Sequence, residues 1–250
     1  MSVPNRFSAG MNRNGMLAAL AIAAAVGLIF AIWPELDIKL VAPFYDPQRH
    51  FWRSYNAFYQ RVSDLMMAIV ALAAAPAGFS LLMKFLFPRR KPPIRGRAVF
   101  LTLVTLALIP GLLANLILKE HWHRPRPLGI VQFGGPEHFQ PWWDPRGECP
   151  NNCSFVSGEG SAAFWTLAPA AVAPPQWRAV AYVAALAFGV TVSILRMAAG
   201  AHFFTDVFFA GFFAFVVIWF LHGWLYRWRA TRVSDEALER VVESLSLTRA

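Results

Sequence analysis

Long apolar runs punctuate this chain, and they limit its fold more than any other feature. Six stretches, 16–33, 65–87, 98–118, 157–173, 179–196 and 202–225, carry few charges, while most of the charge lies in the segments between them. About 20 apolar residues wound as a helix cross the hydrocarbon of a bilayer. Composition agrees: 57% of the residues are hydrophobic and 15% are charged, where a soluble domain carries about a quarter charged residues. The first run resembles the core of a signal peptide. It is long, however, and lacks a small-x-small cleavage site before Pro34, so it reads as a retained helix. The fold class is all-α: an integral membrane six-transmembrane-helix bundle forming a single domain over 1–250.

The formal net charge of +9 invites a nucleic-acid partner, but the basic residues form no single patch. They cluster at the ends of the apolar runs, as orientation charges do, so no nucleic acid is expected. The loop 88–97 holds Arg89, Arg90, Lys91, Arg95 and Arg97 and reads as cytoplasmic. The polar segment 1–15, with Arg6 and Arg13, is then cytoplasmic too. So are the turn at Arg178 and the tail 226–250, with Arg227, Arg229 and Arg232. Residues 34–63 and 119–155 become outer loops. In 34–63 the charges Glu35, Asp37, Lys39, Asp46, Arg49, Arg53 and Arg61 interleave with aromatics such as Phe44, Tyr45, Phe51, Trp52, Tyr55, Phe58 and Tyr59. That mixture suits a membrane–water interface and reads as a loop plus an interfacial helix. In the tail, Ser234 can cap an amphipathic helix with Leu238, Val241, Val242 and Leu245 on its apolar face. Strict alternation of the crossings then brings Lys119, Ser157, Arg196 and His202 to helix ends on one outer face. Ionisable groups so close to hydrocarbon are costly and usually functional.

Their chemistry points to a phosphoryl group. His202 and Asp206 are four residues apart, so on a helix they share a face. The carboxylate can orient one imidazole nitrogen and leave the other free to attack. Arg196 lies just upstream. The third run ends in Lys119, His121, His123, Arg124 and Arg126. The fourth opens with Ser157, Gly158 and Glu159, where a helix start offers free backbone amides to an anion. Cations, amides and an oriented histidine are what an in-line displacement at phosphorus requires. Cys149 and Cys153, in the outer loop just before this segment, can form a disulfide in an oxidising compartment. Gly134, Gly135, Trp142 and Trp143 of the same loop are candidates for a lid at headgroup level.

These residues resemble the type 2 phosphatidic acid phosphatase superfamily, which also includes vanadium haloperoxidases. Its pattern is Lys-x6-Arg-Pro, then Pro-Ser-Gly-His, then Ser-Arg-x5-His-x3-Asp. The first part stands here as Lys119, Arg126 and Pro127, and the third as Leu195, Arg196, His202 and Asp206, with Leu195 in place of Ser. The resemblance runs from the third to the sixth run. It implies that His202 is the nucleophile and Asp206 its orienting partner. Lys119, Arg126, Arg196, Ser157 and the Gly158 amide are implied to hold the phosphoryl oxygens. It also implies independence of metals, and no cofactor is expected. The middle part departs from the pattern: Val156-Ser157-Gly158-Glu159 puts Glu159 where the family has its leaving-group acid. Glu159 is the favoured acid here. It can instead only tie down Arg126 or Arg196, and His121 or His123 can then supply the proton.

The function expected is hydrolysis of a phosphomonoester or pyrophosphate on a lipid through a phosphohistidine intermediate. An envelope lipid is favoured, lipid A or undecaprenyl pyrophosphate, in a bacterial inner membrane with the site facing the periplasm. A lipid-to-lipid phosphotransferase is one alternative. A catalytically inactive anionic-lipid-binding or transport protein is the other. The sequence is silent on oligomeric state.

Overall fold

The computed structural model describes residues 11–52, 57–231 and 233–246. Arg6, Arg53, Tyr55 and Arg232 lie outside the described residues, as does most of the polar N-terminal segment. The described residues are mostly helical, and five of the helices are long and apolar enough to cross a membrane. They are α1 (Arg13–Ile32), α3 (Ala57–Leu86), α4 (Gly96–His121), α7 (Arg178–Ala198) and α8 (Phe204–His222), whose last turn runs on to Arg227. The short α2 (Glu35–Val41) follows α1. The tail forms α9 (Asp235–Leu245), and Ser234 caps it by accepting from the Ala237 amide at 3.1 Å. A two-residue antiparallel pair, β1 (Tyr45–Asp46) and β2 (His50–Phe51), is set in register by Tyr45 facing Phe51.

Two expectations differ from what is observed. The second long helix begins at Ala57 rather than near residue 65. Gln60, Arg61 and Asp64 do not stop it, because such residues are compatible with a helix and only hydropathy, not helix propensity, marks the start at 65. The stretch 157–173 is not one helix but two short ones, α5 (Gly158–Phe164) and α6 (Leu167–Ala171). Pro169 explains the break, since it has no N–H to give to the Trp165 carbonyl one turn back. That carbonyl accepts from Ala168 instead, at 2.8 Å, and Thr166 bonds Ala163 in the same tightened fashion. The broken segment still carries the chain from end to end of the bundle. Ser157 bonds the Asp206 carbonyl at the start of α8, while Pro174 and Arg178 lie beside Tyr226 and Arg227 at its finish.

The core forms around this segment. Trp165 is fully buried and donates its indole N–H to the Thr102 carbonyl and the Thr105 hydroxyl of α4, both at 3.0 Å. The Phe164 ring lies between Gly189 of α7 and Gly211 of α8, where any added β-carbon would strike it. Small residues let helices approach this closely in lipid, where no hydrophobic force acts between them. The middle of α4, Ala107–Leu118, is wound with wider π-type turns around Pro110. At one end of the bundle meet the C-termini of α4 and α7, the N-termini of α3, α5 and α8, and α2.

Candidate active site

A buried ionic cluster organises this end. Arg124 has no exposed surface and donates to Asp37 at 2.8 Å, to Asp206 at 2.5 Å, to Thr205 at 2.8 Å and to the Gln140 carbonyl at 2.9 Å. Its guanidinium also lies 4.5 Å from the Phe203 ring centroid. Asp37 takes the Thr205 amide and hydroxyl, at 3.0 and 2.6 Å. Asp206 takes the Ser154 hydroxyl at 2.5 Å and the Phe203 amide at 2.7 Å. One guanidinium thus joins two buried carboxylates, and hydrogen bonds occupy the remaining lone pairs, as an ion pair out of water requires.

His202 sits on this cluster, 1% exposed. Its Nδ1 is 2.8 Å from the Ser154 carbonyl and 3.8 Å from the nearer Asp206 oxygen. A carbonyl only accepts, so Nδ1 carries the hydrogen and Nε2 keeps its lone pair. Asp206 is too far for a hydrogen bond. It holds Ser154 by the hydroxyl, and Ser154 holds the ring by the carbonyl. Burial pushes the imidazole down to about 3, with the Arg196 and Arg126 charges adding to the effect and Asp206 opposing it. The ring is therefore neutral at neutral pH, the state a nucleophile needs.

The cations converge on the same end. Arg196 is buried and bonds Glu159 at 2.8 Å and the Tyr59 hydroxyl at 3.2 Å, while its Nε has no partner among the described residues. Lys119 reaches Asn152 at 3.4 Å. Arg126 donates to the Asn152 carbonyl and side chain, with both Nη2 contacts at 2.8 Å. Ser157 caps α5, accepting from Gly160 at 3.1 Å, and its own hydroxyl hydrogen remains to donate. A side chain at Gly158 would stand 3.2 Å from the Lys119 ammonium and 2.7 Å from Asn115. The start of α5 therefore packs directly against the Asn115 and Lys119 side-chain ends.

Glu159 is held by Arg196 and by the Ser63 hydroxyl at 3.0 Å. His121 and His123 turn their Nδ1 atoms to the Ile117 and Cys149 carbonyls, at 2.8 and 3.1 Å. Cys149 and Cys153 are joined in a disulfide. The loop it closes presents Asn152 to both Lys119 and Arg126. Backbone bonds from Cys149 to His123 and from Ser154 to Arg124 lay this loop along the chain that leaves α4. The Trp142 ring packs tilted against Phe209, centroids 4.4 Å apart, whereas Trp143 is 47% exposed.

Sequence reasoning missed Asp37, Tyr59, Ser63, Ser154 and Thr205, and it placed Arg124 among the phosphate-side cations. Asp37 read as an interface charge because nothing local distinguishes a solvated aspartate from one that meets a guanidinium 87 residues away. Tyr59 and Ser63 were hidden by the late helix start.

The sequence has relatives among known proteins. The family model of the PAP2 superfamily matches residues 95–230, the part of the chain that holds every cation and the histidine above. A lipid A 4'-phosphatase of Francisella tularensis subsp. novicida is 33% identical over 225 residues, covering 87% of this chain and 98% of that protein. Lipid A 4'-phosphatases of Rhizobium leguminosarum and Rhizobium etli are 38% and 39% identical over 113 residues, which is 48% and 44% of their lengths. No solved structure matches significantly. On its family match and its near full-length likeness to the Francisella protein, the chain belongs to the PAP2 superfamily.

Proposed function

We propose that this protein is a multi-pass membrane phosphatase that removes a phosphate from lipid A, at the 4' position named in its relatives, through a phosphohistidine on His202. The observation that carries the reading is the pairing of a neutral histidine, its lone pair left on Nε2, with three cations at the same end of the bundle. Arg196, Lys119 and Arg126 hold the non-bridging phosphoryl oxygens, together with the Ser157 hydroxyl and the start of α5. His202 Nε2 attacks phosphorus as the bond to the sugar oxygen breaks, and that oxygen takes a proton from solvent water, balanced by the proton that water releases when it attacks in the second step. Water then attacks the phosphohistidine, inorganic phosphate departs, and the imidazole is restored. The cations match charge that is largest at the five-coordinate stage, and being already placed they need no reorganisation. In this reading Glu159 positions Arg196, which its ion pair and its bond to Ser63 support.

The membrane layout proposed has six crossings, with the broken α5–α6 segment as the fourth. The His202 end faces the periplasm of a bacterial inner membrane. Two features support this orientation. The disulfide lies at the His202 end, where an oxidising compartment would keep it. Arg95, Arg97, Arg178 and Arg227 gather at the other end, as cytoplasmic charges do.

Phosphate release from purified lipid A, with a chelator present and the product mapped by mass spectrometry, tests the activity. Wild type should release the 4'-phosphate, and His202→Ala should release none while unfolding at a similar temperature. Undiminished release by the variant would remove His202 as nucleophile. Release from undecaprenyl pyrophosphate but not from lipid A would reassign the substrate.

A further inference from the structure

A polar cavity lies at the end of the bundle opposite His202. It encloses about 720 Å³ between the start of α4, the end of α6, the start of α7, the last turn of α8 and the first residue of α9. Arg95, Arg97, Arg178 and Arg227 line it, with His222 and Tyr226, and Asp235 is its one acidic lining residue. Four guanidinium groups against one carboxylate leave an excess of three positive charges in a volume suited to a small ligand.

Orientation charges alone do not account for this cavity. Arginines that only set topology extend to water, where their nitrogens are solvated. Here the Nε atoms of Arg97 and Arg227 and the Nδ1 atom of His222 are buried and have no partner among the described residues. Five buried side-chain nitrogens share that property. Two of them, on Arg196 and Trp142, are at the His202 end, and the other three all belong to residues of this cavity. Buried polar nitrogens left unpaired are costly, and the two guanidinium ones can only donate, so the cluster marks a place built to receive an acceptor. The existing bonds hold the groups in place rather than neutralise them. Arg227 donates to the Trp219 carbonyl at 2.9 Å and stacks on that ring at 4.3 Å. Arg178 donates to the Ala173 carbonyl at 3.1 and 3.2 Å. Arg97 is the exception, paired with Asp235 at 2.9 Å, and that pair fixes the start of α9 as one wall. The α7 helix also begins here without a side-chain cap, adding the positive end of its dipole.

We infer that this cavity binds a phosphate group, carried by the headgroup of an anionic glycerophospholipid or present as free phosphate, at a site separate from the His202 cluster. Planar guanidinium groups fit phosphate oxygens two at a time, and the cavity opens where the bundle end meets a membrane surface in the layout above. The inference does not depend on what reaction His202 performs.

Binding of short-chain phosphatidylglycerol and of inorganic phosphate, as two separate arms, to the full chain in detergent tests it. The variant Arg95→Gln/Arg178→Gln is the comparison, because binding at the His202 end is common to both proteins. The expected result is a loss of about tenfold in phosphatidylglycerol affinity, the scale of removing charged hydrogen bonds, with phosphate release at the His202 end within about threefold of wild type. Loss in the lipid arm alone assigns a headgroup site. Loss in both arms assigns a site for phosphate itself. Equal affinity of wild type and variant in both arms overturns the inference. Should the double variant not fold, Arg95→Gln alone, at an exposed position, should weaken binding by about threefold, and no change there overturns it equally.

Discussion

At the scale of single residues, the site depends on how three charged groups share a dry space. Arg124 serves two carboxylates, so its removal leaves two buried negative charges uncompensated. Arg124→Gln should destabilise the protein by about 3–5 kcal/mol, seen as a lower unfolding temperature in detergent, whereas loss of an exposed cation should cost far less. For His202 the sign follows from its lowered value of about 3. Between the ordinary imidazole value and that one, the unfolded chain takes a proton that the folded chain refuses, so folding weakens as pH falls through this window. His202→Gln has no such proton to refuse. The unfolding temperature of wild type relative to the variant should therefore drop on going from about pH 7.5 to about pH 5, by roughly 2–4 °C per kcal/mol. Glu159 is the residue whose role, acid or positioning group for Arg196, a variant decides. As a group that positions Arg196, its change to Gln should raise KM about tenfold and leave kcat within about threefold. A fall of about a hundredfold in kcat, with loss of one limb of the pH profile, is the mark of a proton donor. Neither behaviour was legible from the motif, which assigns a role to a position and not to a salt bridge. The internal spacing of His202 and Asp206 was legible. The carbonyl of Ser154 between them was not, because it arrives from 48 residues away.

Among the elements, the long helices were readable from hydropathy alone, with ends shifted by a few residues, because lipid solvation imposes one rule along their whole length. The exceptions are instructive. Helix α3 starts eight residues early and thereby delivers Tyr59 and Ser63 to the Arg196–Glu159 pair. The α5–α6 pair breaks at Trp165–Thr166 for the want of one N–H at Pro169. Its packing makes a further demand. Gly189→Ala would place a methyl group inside the Phe164 ring, and should cost roughly 1–3 kcal/mol through forced displacement. An alanine at Gly78 meets nothing within 4 Å, so Gly78→Ala in α3 should be neutral or stabilising. Thermal unfolding of both variants in one detergent checks the contrast.

For the molecule as a whole, the two ends of the bundle are chemically unlike. One holds a neutral histidine, a disulfide and carboxylates shared around a single arginine, while the other holds arginines in excess. The gathering of Lys119, Arg196, Ser157 and His202 at one end followed from counting passes through the apolar layer, and the structure brings them together there. The broken α5–α6 segment has a consequence for assembly. From Gly158 to Ala171 nearly every residue is enclosed by neighbouring helices and none is fully exposed. Such a rod gains little from acyl chains, and its seat does not exist until the surrounding helices stand in place. The sleeve is expected to come before the rod, and since Ser157 and Gly158 form the rod's tip, the phosphate cradle proposed above is expected among the last parts of the protein to be finished.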